Sequence, residues 1–196
     1  MPIQAVTEAI RDLLTTALHQ AVNVPPNTFT VYVGPPDADE DEDELILFPM
    51  RVTPSADLRN ADRIRPFALP GDPPGPPPTR TVAPAVPLDL HYLVTAGSPQ
   101  NSTAADGLRR LGVAIRAIEA ASPITIPALF QDAVWLSLEP LSTDELSRIW
   151  GLFPNFNCRT CFIFRASPVW IDPVRIALPA APVIADAARV GPAEAA

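Results

Sequence analysis

The chain has 196 residues, and 47% of them are apolar, which is enough to bury the core of one domain. Its net charge of −8 argues against nucleic acid as a partner, because binding to nucleic acid requires a basic surface. No apolar stretch reaches the ~18 residues of a membrane-spanning helix, and the N-terminus shows no basic segment followed by an apolar one, the mark of a secretion signal. We therefore expect neither nucleic acid nor membrane as a partner.

The prolines and the acidic residues are unevenly distributed. Eight of the 26 prolines lie between Pro70 and Pro87, and four lie between Pro173 and Pro192. Because proline cannot donate a backbone hydrogen bond, these two zones are poor candidates for packed structure. Seven of the 22 acidic residues lie in Asp37–Glu44, and the other 15 nearly balance the 14 arginines. A solvated loop is the expected reading of this run, with a contact to a basic partner or metal binding as alternatives.

The N-terminal part predicts one helix and two strands. Apolar residues recur every three or four positions from Ile3 to Ala21, which indicates an amphipathic helix. Thr28–Val33 alternates between apolar and polar residues, and Leu45–Thr53 is largely apolar, so each predicts a strand. The acidic loop, residues 35–44, separates them. Pro49 lies in the middle of the second strand, which indicates an edge position or a bulge.

A long polar and proline-rich loop, residues 54–86, follows the second strand. It contains GDPPGPPPTR and is expected to be mobile or extended. Structureless loops of this length are uncommon inside a compact domain and are usually functional or disordered.

The strand signal of Pro87–Ala96 is the clearest in the sequence. Side chains alternate along a strand, so one face of this segment is apolar or aromatic and the other is mixed. The mixed face contains His91, for which we expect a hydrogen-bonded structural role rather than a role as general base. His19, near the end of the first helix, is expected to have only a surface or helix-dipole role.

Two capping boxes predict two further helices, over Ala104–Ala121 and Thr143–Phe153. The boxes are formed by Thr103 with Asp106 and by Ser142 with Glu145. Strands are predicted over Ala133–Glu139 and over Cys158–Asp172, the latter interrupted by Pro168. The tryptophans each lie in an apolar segment and are predicted to be core residues: Trp135, Trp150 and Trp170.

This order of elements predicts an α/β (α+β) fold with a single mixed sheet of about five strands and about three helices packed against it. We expect the helices to cover one face of the sheet. The domain is predicted to span residues 1–172, and residues 173–196 form an alanine- and proline-rich C-terminal tail with little capacity to form a core.

Cys158 and Cys161 form the motif C-R-T-C, which can be a redox pair or half of a zinc site. An offset of three residues places the two side chains on opposite faces of a strand, and the chain has only two histidines to complete a zinc site. Two packed thiols are therefore the expected reading. The sequence predicts no catalytic, cofactor-binding or metal site.

Three segments, in this order, resemble the cap or tail-terminator family of phage-tail-like contractile injection systems, such as the antifeeding prophage. They are LFPMRVTPSADLRNADRIRP (Leu47–Pro66), PLDLHYLVTA (Pro87–Ala96) and LSLEPLSTDELSRIWGLF (Leu136–Phe153). The resemblance covers roughly Ile3 to Asp172.

The resemblance implies a tail-terminator-like fold and structural, non-enzymatic work. Such a cap forms a hexameric ring on the distal end of the sheath and inner tube, ends polymerisation and holds the last sheath ring. Its partners would be other copies of itself and the sheath and tube proteins. It would assemble in the bacterial cytoplasm and then become part of the particle, which some systems release. The alternatives are an adaptor that binds a partner by strand addition without forming a ring, and a thiol-dependent enzyme that uses Cys158 and Cys161.

A ring requires two different complementary surfaces on each subunit. The long loop and the C-terminal tail are the expected sources of these surfaces, because extended segments can add a strand to a neighbour's sheet. The candidate contact residues are Arg59, Arg63, Arg65 and Arg80 in the loop and Val174, Arg175 and Ile176 in the tail.

Overall fold

The computed structural model describes residues 1–22, 30–36, 44–68, 71–82, 84–97, 99, 102–129, 132–154 and 157–172. The helices are α1 (Pro2–Val22), α2 (Ala104–Ala121) and α3 (Thr143–Trp150). The strands are β1 (Val31–Val33), β2 (Leu45–Pro54), β3 (Arg63–Pro66), β4 (Thr79–Val82), β5 (Val86–Ala96), β6 (Ile124–Thr125), β7 (Ala133–Glu139) and β8 (Cys161–Ile171).

The described strands form one mixed six-stranded sheet in the order β1-β2-β5-β8-β7-β6. β1 pairs with β2 in parallel, and every other pair in the sheet is antiparallel. The predicted fold class is therefore confirmed, with one strand more than expected. The additional strand is β6, whose two residues are too short for a periodic pattern to reveal.

Both capping boxes are present, and α2 has the predicted bounds. α1 and α2 pack on one face of the sheet and form the main core with it. The side chains of Tyr92 and Phe164 stack there at 5.2 Å, and the Tyr92 hydroxyl shares a 2.8 Å hydrogen bond with Thr7 Oγ1. Burial raises the pKa of Tyr92 to about 12. No helix in the described ranges is long and apolar enough to cross a bilayer.

α3 packs on the opposite face. Ile46, whose side chain alternates with those of Leu45 and Leu47 in the main core, forms a second small cluster with Trp150 of α3. Phe48 and Phe153 meet edge to face at 5.6 Å beside it. The prediction that all three helices cover one face is therefore wrong for α3.

β5 lies in the centre of the sheet, has 11 residues like β8, and is buried on both faces from Asp89 to Ala96. The sequence predicted a strand with one buried face, whereas β5 is buried on both faces over these residues. The bulge predicted for β2 is confirmed, because its pairing with β5 shifts between Pro49 and Arg51. β1 lies along β2 only as far as Leu47, so Pro49 also occupies an edge position in the described sheet.

The long proline-rich loop contains regular structure. β3 and β4 pair as a separate antiparallel ribbon, in which Arg63 faces Val82 and Pro66 faces Thr79. These residues are extended, as the prediction allowed, but they pair in a ribbon instead of forming a loop without regular structure. The predicted acidic loop, apart from its ends, and the tail over 173–196 lie outside the described residues, as do the first residues of the predicted strand Thr28–Val33.

Candidate functional site

The sheet face that carries α3 is polar and charged where α3 does not cover it. The cross-strand pairs of Arg51 with His91, of His91 with Arg165 and of Thr53 with Asp89 place these side chains side by side. We call this region the charged face. Its residues are Arg51, Thr53, Asp89, His91, Glu139, Arg165 and Ser167.

His91 is the centre of the charged face and is only 6% exposed. Its Nδ1 lies 2.8 Å from Glu139 Oε2. Because a carboxylate can only accept, Nδ1 carries the proton and donates it. Nε2 then accepts from the Thr53 hydroxyl at 3.3 Å, and Arg51 Nη2 lies 3.4 Å from both ring nitrogens. The expected hydrogen-bonded role of His91 is confirmed.

Asp89 is the second buried polar residue of the charged face. It accepts a 2.6 Å hydrogen bond from Ser167 Oγ and lies 3.6 Å from Arg165 Nη1. Arg165 Nε lies at the same distance, 3.6 Å, from Glu139 Oε1, so one guanidinium bridges two carboxylates. The network links β2, β5, β8 and β7.

Carboxylate, imidazole and hydroxyl follow each other in Glu139, His91 and Thr53, which is the order of groups in hydrolytic triads. The surroundings do not suit that chemistry, because the Arg51 guanidinium lies against the His91 ring. Cavities of about 400 Å³ at the start of α2 and about 460 Å³ between α1 and β1 are lined by other residues. The geometry supports a role in joining the strands.

The ribbon is fixed to the domain at its base by buried charges, which we call the ribbon clamp. Arg63 Nε donates to Asp172 at 2.5 Å, and its Nη2 donates to Asp132 at 2.5 Å. Arg65 Nη2 lies 3.2 Å from the other oxygen of Asp172. The Arg63 guanidinium also lies 5.2 Å from the ring centroid of Trp170. The clamp thus joins β3 to the end of β8 and to the residue before β7.

The charge of Arg63 is secured by its two carboxylates. Burial by itself would lower the pKa of Arg63, but the hydrogen bonds to Asp132 and Asp172 outweigh it, and the pKa is raised above its ordinary value. A paired, hydrogen-bonded guanidinium is tolerated in a buried position, whereas an unpaired one would be strongly destabilising. The clamp is therefore a fixed structural joint.

A second ion pair fixes the distal end of the ribbon. Arg80 donates to both carboxylate oxygens of Asp72 at 2.6 Å and to the Phe67 carbonyl at 2.9 Å. Phe67 N donates to Pro78 O at 3.2 Å, which extends the ribbon ladder by one pair. We call Gly71–Pro78 the ribbon tip; it includes Asp72 and Pro78, which make these contacts.

The structure places the predicted contact residues in different environments. Arg59 is exposed, Arg63 and Arg65 are buried in the clamp, and Arg80 is part-buried in its ion pair. Val174, Arg175 and Ile176 lie outside the described residues. Contact of any of these candidate residues with a partner remains a prediction. The observed ion pairs give Arg63, Arg65 and Arg80 a structural role that the sequence did not indicate.

The two cysteines are free and differ in environment. Cys158 is exposed, so the expectation of two packed thiols is wrong for it, whereas Cys161 packs beside Trp150. Burial raises the pKa of the Cys161 thiol, and a hydrogen bond with Trp150 opposes this only in part. A thiol with a raised pKa is a poor nucleophile near neutral pH, so Cys161 is poorly suited to nucleophilic chemistry.

The tryptophans also differ. Trp150 is 6% exposed, as expected of a core residue, and Trp170 is part-buried under Arg63. Trp135 is 56% exposed, so its assignment to the core is wrong. The alternation of β7 contained the signal, because Val134 and Leu136 share the core face and Trp135 must then point away from it.

Comparison with known proteins identifies relatives of this architecture. The family described as Pvc16 N-terminal domain matches residues 5–185. No curated protein matches the sequence.

Solved structures that share the fold include the following two. The sheath/tube terminator of PVC, an extracellular contractile injection system, in its extended state, is 15% identical with a TM-score of 0.56, over 92% of this chain and 63% of that chain. The tube-terminating cap of the anti-feeding prophage is 16% identical with a TM-score of 0.60, over 91% of this chain and 59% of that chain. The chain thus spans about three fifths of each of these proteins. Because the family match extends over most of the sequence, this chain belongs to the Pvc16 N-terminal domain family.

Proposed function

We propose that this protein is the cap subunit of a contractile injection system, where copies of it form a hexameric ring on the distal end of the sheath and tube. The ring ends polymerisation and holds the last sheath ring. The observation that carries the proposal is the family match over residues 5–185, supported by the fold shared with a sheath/tube terminator and a tube-terminating cap. The work is structural rather than enzymatic.

The distribution of contact surfaces supports a ring. Head-to-tail closure needs two different surfaces on each subunit. The described sheet offers edges of different kinds, with the short parallel strand β1 at one side and the short antiparallel strand β6 at the other. The clamped ribbon adds a further element beside β7 and β8, because Asp132 and Asp172 hold its base there.

The partners are other copies of this chain and the sheath and tube proteins of the particle. Arg59 and the tail residues Val174, Arg175 and Ile176 are the candidate contacts with these partners. Assembly takes place in the bacterial cytoplasm, and the protein then remains part of a particle that can be released from the cell.

The test is electron microscopy of the purified protein, followed by its addition to polymerising tube and sheath proteins. We expect hexameric rings, and we expect uniform particle lengths with density for one ring at the distal end. A protein that stays monomeric at every concentration tested and leaves the particle length unchanged would contradict the proposal.

One observation favours a second candidate, an adaptor that binds by strand addition without forming a ring. In the described sheet, β2 continues from Phe48 to Pro54 beyond the end of its pairing with β1, which leaves an edge that an extended segment could join. Such an adaptor would bind one partner segment while staying monomeric. Sedimentation analysis separates it from a cap, which self-associates.

A further inference from the structure

The ribbon tip presents prolines to solvent on a ribbon that ion pairs hold to the domain. Gly71–Pro78 reads GDPPGPPP, and all its prolines are exposed: Pro73, Pro74, Pro76, Pro77 and Pro78. The tip is closed at its base by the ion pair of Arg80 with Asp72 and by the hydrogen bond from Phe67 N to Pro78 O. β3 and β4 have four residues each, so each strand is about 13 Å long at ~3.3 Å per residue, and the clamp residues Arg63 and Arg65 lie on β3 itself.

The tip has little conformational freedom left to lose on binding. Each proline fixes its own φ angle, and Gly75 turns the chain between the two proline runs with a φ of 152°, where other residues are strained. Proline-rich segments of this kind bind aromatic side chains, because they present apolar rings and pay little ordering entropy. The tip is therefore suited to docking on an exposed aromatic surface.

Trp135 provides an exposed aromatic surface on the same protein. Its side chain is 56% exposed and lies on the same side of the sheet as α3 and the charged face. Its cross-strand neighbour is Ser167, and the next residue on the same face of β7 is Ser137. These small side chains leave the indole accessible, and an accessible tryptophan is the residue type most enriched among strong binding contacts.

We propose that the ribbon tip of one copy docks on Trp135 of a second copy of this chain. The tip and Trp135 are both uncovered within one chain, and they are different surfaces, so their contact is heterologous and leaves each copy able to bind two neighbours. The inference deepens the proposed ring, on which it rests, by naming the two surfaces of one subunit contact.

The experiment uses two variants of the full chain that cannot make this contact with themselves. The platform variant, W135A, keeps the tip and lacks the indole. The tip variant, P73A/P74A/P76A/P77A, keeps Trp135 and the pair of Arg80 with Asp72. Thermal melting and circular dichroism establish that both are folded, and sedimentation velocity measures association of each variant alone and of an equimolar mixture.

We expect each variant alone to self-associate roughly tenfold or more weakly than the wild type, as for loss of a strong binding contact. The mixture should form a one-to-one dimer, because the platform variant supplies the tip and the tip variant supplies Trp135. W135F, which keeps an aromatic ring, is the matched control and should retain most of the association.

The outcomes separate this contact from the ring. If the mixture dimerises while the wild type forms open chains, the contact stands and the closed ring does not. If both variants form the same rings as the wild type, the ring stands and the contact is wrong. If folded variants do not associate in the mixture and the wild type stays monomeric, both are overturned.

Discussion

The two faces of the sheet are built from the same strands but are stabilised differently. The face toward α1 and α2 is a continuous apolar core that includes Tyr92 and Phe164 at full burial. The opposite face is divided between the small cluster around Trp150 and the charged face. Apolar packing is therefore the main source of stability on the first face, and the second face has room for contacts with partners.

The largest expected effect is on the sheet face that packs against α1 and α2. Phe164→Ala removes a fully buried ring that stacks on Tyr92, and we expect a loss of about 4–5 kcal/mol in the free energy of unfolding. Denaturant titration measures it. A loss below about 1 kcal/mol would mean that the core can collapse around the site, contrary to its close packing.

The next largest loss of stability is expected at the contact of α3 with the sheet. Trp150→Ala removes the main anchor of the second cluster and should cost about 3 kcal/mol, near the lower end for such truncations because the cluster is small. Hydrogen exchange should show faster exchange in α3 than in α1. Unchanged thermal stability would show that the α3 cluster contributes nothing to the fold.

Alkaline pH should lower the stability of the core beneath α1 and α2 through ionisation of Tyr92. Burial raises the phenol pKa from 10.0 to about 12, so the stability is complete below pH 10 and is lost as the pH rises through 12. The two-unit shift corresponds to about 2–3 kcal/mol. Unfolding measured between pH 9 and 12 tests it, with Tyr92→Phe as the control that should lack this part of the decline.

The smallest expected effect is on the charged face. Glu139→Gln keeps the shape of the side chain but weakens its contacts with His91 and Arg165, and we expect a loss of about 1 kcal/mol. Chemical denaturation measures it. A loss as large as that of Phe164→Ala would contradict the difference between the two faces.

Local patterns predicted the parts of the fold that depend on neighbouring residues. α1, α2 and β7 follow from apolar spacing, and both helix starts follow from their capping boxes. The apolar side of β5 was also evident, whereas the burial of its mixed side depends on charged partners from other strands.

The ribbon could not be predicted in this way. Arg63 is held by Asp132 and Asp172, which lie 69 and 109 residues away in the sequence, and no local pattern carries that pairing. The prolines of the loop favoured an extended chain, but the bends at Gly71 and Gly75 and the pair of Arg80 with Asp72 organise it. The candidate surfaces therefore emerge from long-range ion pairs more than from sequence motifs.

The position of Asp172 has a mechanical consequence. β8 runs between β5 and β7, and its last residues lead through Asp172 into the C-terminal part of the chain. A pulling force applied beyond Asp172 would load β8 lengthwise, in shear against the hydrogen bonds on both of its sides, rather than unzipping them one after another. Because Asp172 also holds Arg63, the same force would be transmitted to the ribbon, so tension at the end of β8 and the position of the tip are coupled.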